Sequence, residues 1–278
     1  MTGEGEIRRA AVDGQFYPAS ADDLGADVDR MLEQSKPADI RGDIVALVAP
    51  HAGYIYSGQT AAAAYRQVKG QRFDAVVVIA PSHREVFPGA SVYNKGGYET
   101  PLGVALVEVE LADEIISYHP TIAFTLAGHR GEHALEVQLP FLQRTLEDLK
   151  IVPIVMADRS LRLCRTLGEA IASAAEGKHV LIVASSDLYH GYSYEACVAS
   201  DDRTLAAIET FDPEAFWRGL DKEYQACGGA PIASALMASK QMGADTAKVV
   251  ARTNSNDVTG EQGGYVVGYG AAVIYRSS

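Results

Sequence analysis

Asp43–Gly58 reads DIVALVAPHAGYIYSG. Its first seven residues, Asp43–Ala49, form an apolar run that is rich in β-branched side chains and closed by Pro50. A continuous run without polar alternation is what a parallel strand shows when helices cover both faces of its sheet. The loop beyond it consists of small residues and one histidine, His51. The same pattern recurs twice. Asp74–Ala80 (DAVVVIA) leads into Pro81-Ser82-His83-Arg84-Glu85, and His179–Ala184 (HVLIVA) leads into Ser185-Ser186-Asp187-Leu188-Tyr189-His190. Ligands of parallel α/β sheets bind beyond the carboxyl ends of the strands, where the loops meet in a crevice. If these strands are neighbours, His51, His83, Asp187 and His190 project towards one point.

A fourth run, Ile151–Ala157 (IVPIVMA), predicts another buried strand. Helical patterns fall between the strands, at Gly58–Val68, Leu111–Tyr118, His133–Leu149, Leu161–Glu176 and Ser193–Glu209. Ala21–Gln34 reads as a docked amphipathic helix. Residues 90–107, with Gly96-Gly97 and Pro101 between short apolar pieces, read as a hairpin. Lys248–Arg252 and Gly264–Arg276 read as closing strands on a mixed or antiparallel edge. This alternation predicts an α/β fold, a single three-layer sandwich with a central mixed, largely parallel sheet flanked by helices. No linker, repeat or low-complexity tract divides the chain. One domain over residues 1–278 is expected, with residues 1–8 flexible.

Composition narrows the classes of function. The 278 residues include 24 Lys+Arg and 36 Asp+Glu, a net charge of −12, which argues against a non-specific nucleic-acid binder. At 47% hydrophobic and 22% charged residues the chain can bury a core, so disorder is a poor reading. No apolar run approaches the roughly 20 residues that span a bilayer, and MTGEGEIRRA lacks the apolar core of a signal peptide. Three cysteines, Cys164, Cys197 and Cys227, make a disulfide framework unlikely and point to a reducing, cytoplasmic setting.

The cysteines differ in context. Cys164 and Cys197 fall inside helical patterns and read as core residues. Cys227 lies in Ala226-Cys227-Gly228-Gly229-Ala230-Pro231, just ahead of a helix start marked by Pro231. Amides and the helix dipole there favour a thiolate, and the glycines permit close approach. Two imidazoles and a thiolate suit iron, copper or zinc and leave coordination positions open. Gly131–Phe141 (GEHALEVQLPF) adds His133 and Glu136 one turn apart, with Pro140 set to kink the helix. Two apparent phosphate motifs fail. Gln59 stands where a Walker lysine would be, and the glycines at 263–270 precede a strand rather than a helix.

Six segments occur together in order: Arg9–Pro18 (RAAVDGQFYP), Pro50–Gly58, Ala80–His83 (APSH), Gly131–Phe141, Ser185–His190 (SSDLYH) and Ala226–Gly229 (ACGG). The set resembles the Memo family, whose prokaryotic members are called AmmeMemoRadiSam system protein B. The resemblance implies a single α/β domain similar to the class III extradiol dioxygenases, with metal ligands at His51, His83 and Cys227 and cleft residues at Asp187 and His190. A cysteine stands where those dioxygenases place a carboxylate, and thiolate changes the redox behaviour of a metal. Smaller departures are Asp13, Ala80 and Tyr189-His190-Gly191.

The leading expectation is a metal-dependent, dioxygenase-like oxidoreductase using Fe(II), with copper or zinc as alternatives, acting on a small oxidisable substrate. His190 is the expected general acid/base, since imidazole titrates near neutral pH. Asp187 is expected to orient His190 or a water, and Tyr54, Tyr56, His133 and Glu136 to contact substrate. The other readings are a binding scaffold that takes a peptide or partner protein in a vestigial cleft, and metal-free nucleophilic catalysis by Cys227 with His51 or His83 as base. The resemblance also implies partners from the AMMECR1-like and radical-SAM families.

Overall fold

The computed structural model describes residues 6–261 and 263–278. The strands among them are β1 (Ile7–Arg8), β2 (Gly42–Ala49), β3 (Ala75–Pro81), β4 (Ala90–Val92), β5 (Gly97–Thr100), β6 (Gly103–Val107), β7 (Ile122–Ala123), β8 (Lys150–Met156), β9 (Val180–Ser185), β10 (His190–Gly191), β11 (Thr246–Asn254) and β12 (Val266–Ser277). The helices are α1 (Ala21–Gln34), α2 (Tyr54–Tyr65), α3 (Val109–Ser117), α4 (His133–Glu136), α5 (Leu139–Thr145), α6 (Leu161–Ala174), α7 (Tyr194–Glu209), α8 (Pro213–Gly219), α9 (Gly229–Gln241) and α10 (Ser255–Thr259). No described helix is long and apolar enough to cross a membrane.

The four apolar runs form the middle of the sheet. Strands β6, β8, β3, β9 and β2 lie side by side and parallel in that order. Every residue of β3 and β9 is buried, as expected of strands covered on both faces. At one edge β12 runs antiparallel to β2 and pairs in turn with β11 and β10. At the other, β5 and β6 form the expected hairpin and β1 adds parallel to β5. Helices α1, α2 and α5 pack as one group, with α2 against β2, β11 and β12. In a second group α9 lies on β2, β3 and β9 and packs against α6 and α8, and α3 packs on α6. The architecture is the expected α/β sheet, mixed and mostly parallel, flanked by helices.

Local chemistry sets several boundaries. Ser20, Ser160 and Ser193 cap α1, α6 and α7 by accepting a backbone N–H three residues on. The helix expected over His133–Leu149 is two helices, α4 and α5, with Pro140 in the first turn of the second. Helix α2 begins at Tyr54, earlier than the expected Gly58, so it starts three residues after His51.

Flexibility is the expectation for residues 1–8. Residues 1–5 lie outside the described residues, but Ile7 and Arg8 are a strand and Arg8 is buried. The Arg8 guanidinium is paired with the Glu136 carboxylate and donates to the carbonyls of His129 (2.9 Å) and Glu132 (2.8 Å). The face of the Tyr98 ring lies 5.0 Å away. Glu136 also accepts the N–H groups of Ala11 and Val12 and the Tyr17 hydroxyl (2.5 Å). Removing one partner of a buried pair strands the other charge. Arg8→Met is therefore expected to lower stability by about 3–5 kcal/mol, read from urea unfolding; a loss below about 1 kcal/mol would show that the pair contributes little.

Candidate metal centre

Strand β9 lies between β2 and β3, so the loops after β2 and β3 flank the loop after β9. This places His51, His83 and Asp187 at one end of the sheet. Cys227 arrives from the other side, ahead of α9. A Cβ on Gly228 would collide with the carbonyl oxygen of Ser185, so only glycine lets the Cys227 turn approach the end of β9 this closely. The ligand atoms of His51, His83 and Cys227 all lie within 4.8 Å of one another. His83, Glu132 and His133 form a second such group, sharing His83.

Hydrogen bonds determine which nitrogen of each ring is free. The backbone N–H of His51 donates to Asp187 Oδ1 (2.7 Å), and its Nδ1 lies 2.9 Å from Ser185 Oγ. Ser185 gives its one hydroxyl proton to the Ala134 carbonyl (2.6 Å) and accepts from Gln138 Nε2 (2.7 Å). Its remaining capacity is as an acceptor, so His51 Nδ1 carries the proton and Nε2 is bare. That Nε2 is 3.1 Å from Cys227 Sγ. His83 is held similarly by Glu132, which accepts the backbone N–H on Oε2 (2.6 Å) and pairs with Nδ1 on Oε1 (3.0 Å). Burial pushes the Glu132 carboxyl up, but the hydrogen bonds from His83 and Ala134 outweigh it and hold the group at about 2. An ionised carboxylate only accepts, so His83 Nδ1 is the donor and its Nε2 is free. Both imidazoles thus have the oriented second nitrogen typical of metal-ligating histidines.

Protonation at the centre runs against one expectation. The position of Cys227 before a helix was expected to favour thiolate, yet burial pushes the thiol well up and the nearby Asp187 carboxylate adds to the effect. Burial likewise holds His51 well below the usual imidazole range, aided by His83. The apo pair is therefore S–H beside neutral imidazole, a poor arrangement for a metal-free nucleophile. A metal held there would reverse this balance, since a thiol must lose its proton to become a ligand.

Other expected site residues separate into two groups. His133 belongs to the cluster, its ring 4.8 Å from that of His83 and 5.6 Å from that of His51. Burial, and then the proximity of the His51 ring, hold it at about 4; among the described residues its Nδ1 makes no hydrogen bond, with Glu132 Oε1 3.3 Å away. Asp187 is buried, but its carboxylate holds the His51 backbone rather than His190. His190 is exposed and pairs through Nδ1 with the Leu188 carbonyl (3.1 Å), so Nε2 is the nitrogen free to accept a proton. Tyr56 is exposed, 42% of its surface being open.

Tyr54 and Glu136, expected to contact substrate, are buried with their polar atoms engaged elsewhere. Tyr54 is a core residue, its hydroxyl on the Val137 carbonyl (2.7 Å) and its ring against Phe141 and Tyr17. Glu136 is fully buried and turned to the N-terminal segment, where its oxygens are occupied by Arg8, Ala11, Val12 and Tyr17. Of the two glutamates of this segment, Glu132 is the one that reaches the centre, where Asp187 Oδ2 also lies 4.0 Å from His51 Nε2. Glu132 sits ahead of α4 as its N-cap, accepting from Ala134 (2.9 Å). An acidic residue directly before a helix start was its only signal in the sequence. Phe16 is a second addition, its ring 4.7 Å from that of His133.

The carboxyl end of the sheet's parallel core thus carries two oriented imidazoles and a cysteine, a group that could hold a metal ion. The chain belongs to the Memo family: the family model for Memo-like proteins matches residues 8–273. A MEMO1 family protein of Nitrosopumilus maritimus is 35% identical over 95% of this chain and 98% of its own length. One from Aeropyrum pernix is 37% identical over 97% of this chain and 100% of its own. A third, from Methanosarcina mazei, is 35% identical over 97% and 99%.

The protonated thiol is directly measurable. In metal-free protein Cys227 is expected to react with iodoacetamide at pH 8 at least about tenfold more slowly than free cysteine, whose thiol titrates near 8.5. Peptide mapping by mass spectrometry, with Cys227→Ser as the blank, reads the rate; labelling as fast as free cysteine would mean that the site favours thiolate.

Proposed function

We propose that this chain is a metal-dependent, dioxygenase-like oxidoreductase that binds Fe(II), or alternatively copper, at His51, His83 and Cys227 and acts on a small oxidisable substrate. One observation carries the reading. Three ligand atoms of the right chemical types lie within 4.8 Å of one another, and both histidines have their second nitrogen tied to an acceptor. The bound metal would supply a Lewis-acid and redox centre with coordination positions to spare.

The chain's own residues do the rest. Asp187 fixes the His51 backbone, and Gln138 and Ser185 fix its ring. Glu132 fixes His83 through both backbone and side chain. His190 is the general base at Nε2, its Nδ1 proton being held by Leu188. His133, kept neutral by burial, packs its ring against Phe16 beside the two proposed histidine ligands.

A second reading has one observation in its favour. Ile55, Tyr56, Val86, Tyr192 and Tyr265 are large exposed apolar residues on segments that follow the ends of β2, β3 and β9 or precede β12. Exposed apolar surface around a cleft suits a peptide or partner protein, so the scaffold reading stands as the alternative.

Metal analysis of anaerobically prepared protein separates them. About one iron or copper per chain is expected, lost in His51→Ala and His83→Ala, and Glu132→Gln should weaken affinity about 10–100-fold. Cobalt(II) should give a sulfur-to-metal charge-transfer band that Cys227→Ser lacks. Metal content unchanged in His51→Ala would overturn the assignment. Bound metal without oxygen consumption across a panel of small aromatic substrates would favour the scaffold.

A further inference from the structure

A carboxylate without a role in the metal centre lies behind the loop that carries Asp187 and His190. Asp201, on α7, is 4% exposed. Its Oδ1 accepts the backbone N–H of Tyr189 (3.0 Å) and its Oδ2 the thiol of Cys197 (3.5 Å). Among the described residues no cation pairs with it, for Arg252 on β11 is bound to Asp202 instead. Facing it is Gly268 of β12, which donates its N–H to the Tyr189 carbonyl (2.9 Å) and accepts the N–H of Leu188 (2.8 Å). A Cβ at position 268 would fall inside the Asp201 carboxylate. Glycine there admits the acid, and the loop is gripped from both sides at Leu188-Tyr189.

We propose that Asp201 is a positioning residue for the Asp187–His190 loop, holding it shut against β12 when protonated and loosening it when ionised. The direction follows from proton linkage. A buried carboxylate whose donors are one amide and one weak thiol is poorly compensated. Burial accordingly raises Asp201 to about 6, against the opposing pull of Tyr189, Cys197 and Arg252, while Asp187 adds to the rise. Opening the loop exposes the group to water, where a carboxyl titrates near 4. The closed loop thus binds the proton more tightly than the open one, so opening becomes easier as pH rises from about 4 to about 6 and levels off above.

Titratable and charged groups surround Asp201 on several elements. Cys197 and Asp202 belong to α7, Arg252 to β11, Asp257 to α10, Tyr269 to β12, and Asp187 and Tyr189 to the loop itself. Burial pushes Cys197 up to about 12 and raises Tyr269 as well, so both stay neutral through this range. A cavity of about 420 Å³ has Tyr194, Asp201, Arg252 and Asp257 among its lining residues.

Amide hydrogen exchange in the full, metal-free chain tests the proposal. After correction for intrinsic rates, protection of the Tyr189 amide should fall by up to about a hundredfold between pH 4 and 7. In Asp201→Asn it should stay high and independent of pH. A flat wild-type profile, or an unchanged slope in Asp201→Asn, would overturn the proposal. Gly268→Ala supplies an independent check on the steric fit. It should lower the melting temperature in the wild-type background and do so far less in Asp201→Ala, whose side chain no longer occupies the space; equal losses in both would also overturn it. That the loop serves a metal centre rests on the reading proposed above. Cobalt(II) titration of the same samples keeps the two apart, since absent metal binding with the expected Tyr189 profile would defeat only the metal reading.

Discussion

The buried pairing of Arg8 with Glu136 is the constraint on which the site depends. A guanidinium and a carboxylate can be withdrawn from water only when every remaining donor and acceptor is met. The fold meets them by drawing the N-terminal segment across α4, so Arg8 takes the carbonyls of His129 and Glu132 while Glu136 takes the amides of Ala11 and Val12. Glu132 and His133 are adjacent to this anchor, and their delivery to the histidine cluster follows from it. The same segment continues to Phe16, whose carbonyl accepts the Tyr54 N–H (2.7 Å) at the start of α2. One satisfied ion pair therefore fixes the Glu132 side of the centre and the helix that follows His51.

Much of the fold could be read from hydrophobic patterning. Residues 43–49, 74–80, 151–157 and 179–184 differ from β2, β3, β8 and β9 by one residue or so at each end, because strands covered on both faces leave little room for polar residues. The elements that escaped notice are short ones whose existence depends on tertiary contact. Strand β1 has two residues and survives by pairing with β5, and α8 and α10 are a turn or two long. Periodicity needs several turns to register.

The centre was legible for a different reason. Histidines repeated after equivalent strands imply convergence whenever the strands are neighbours, and β2, β9 and β3 are. What sequence could not distinguish was the direction of a carboxylate. Glu132 and Glu136 are four residues apart on one short segment, yet one faces the histidines and the other the N-terminal strand. Nor could it weigh burial against a helix dipole at Cys227, where desolvation wins and the proton stays on sulfur. Both outcomes depend on neighbours far away in the chain.

Those sequence distances bear on how the protein is made. Arg8 and Glu136 are separated by 128 residues, and His51 and Cys227 by 176. Closing such long loops delays contact formation relative to local structure. During synthesis, an emerging chain holds His51 and His83 long before Cys227 is added, so the three side chains cannot come together until more than 140 further residues have followed His83. The strands that carry the two histidines, and β9 between them, all precede Cys227 in the chain, so the cysteine is the last of the three to reach a sheet whose parallel core is already written.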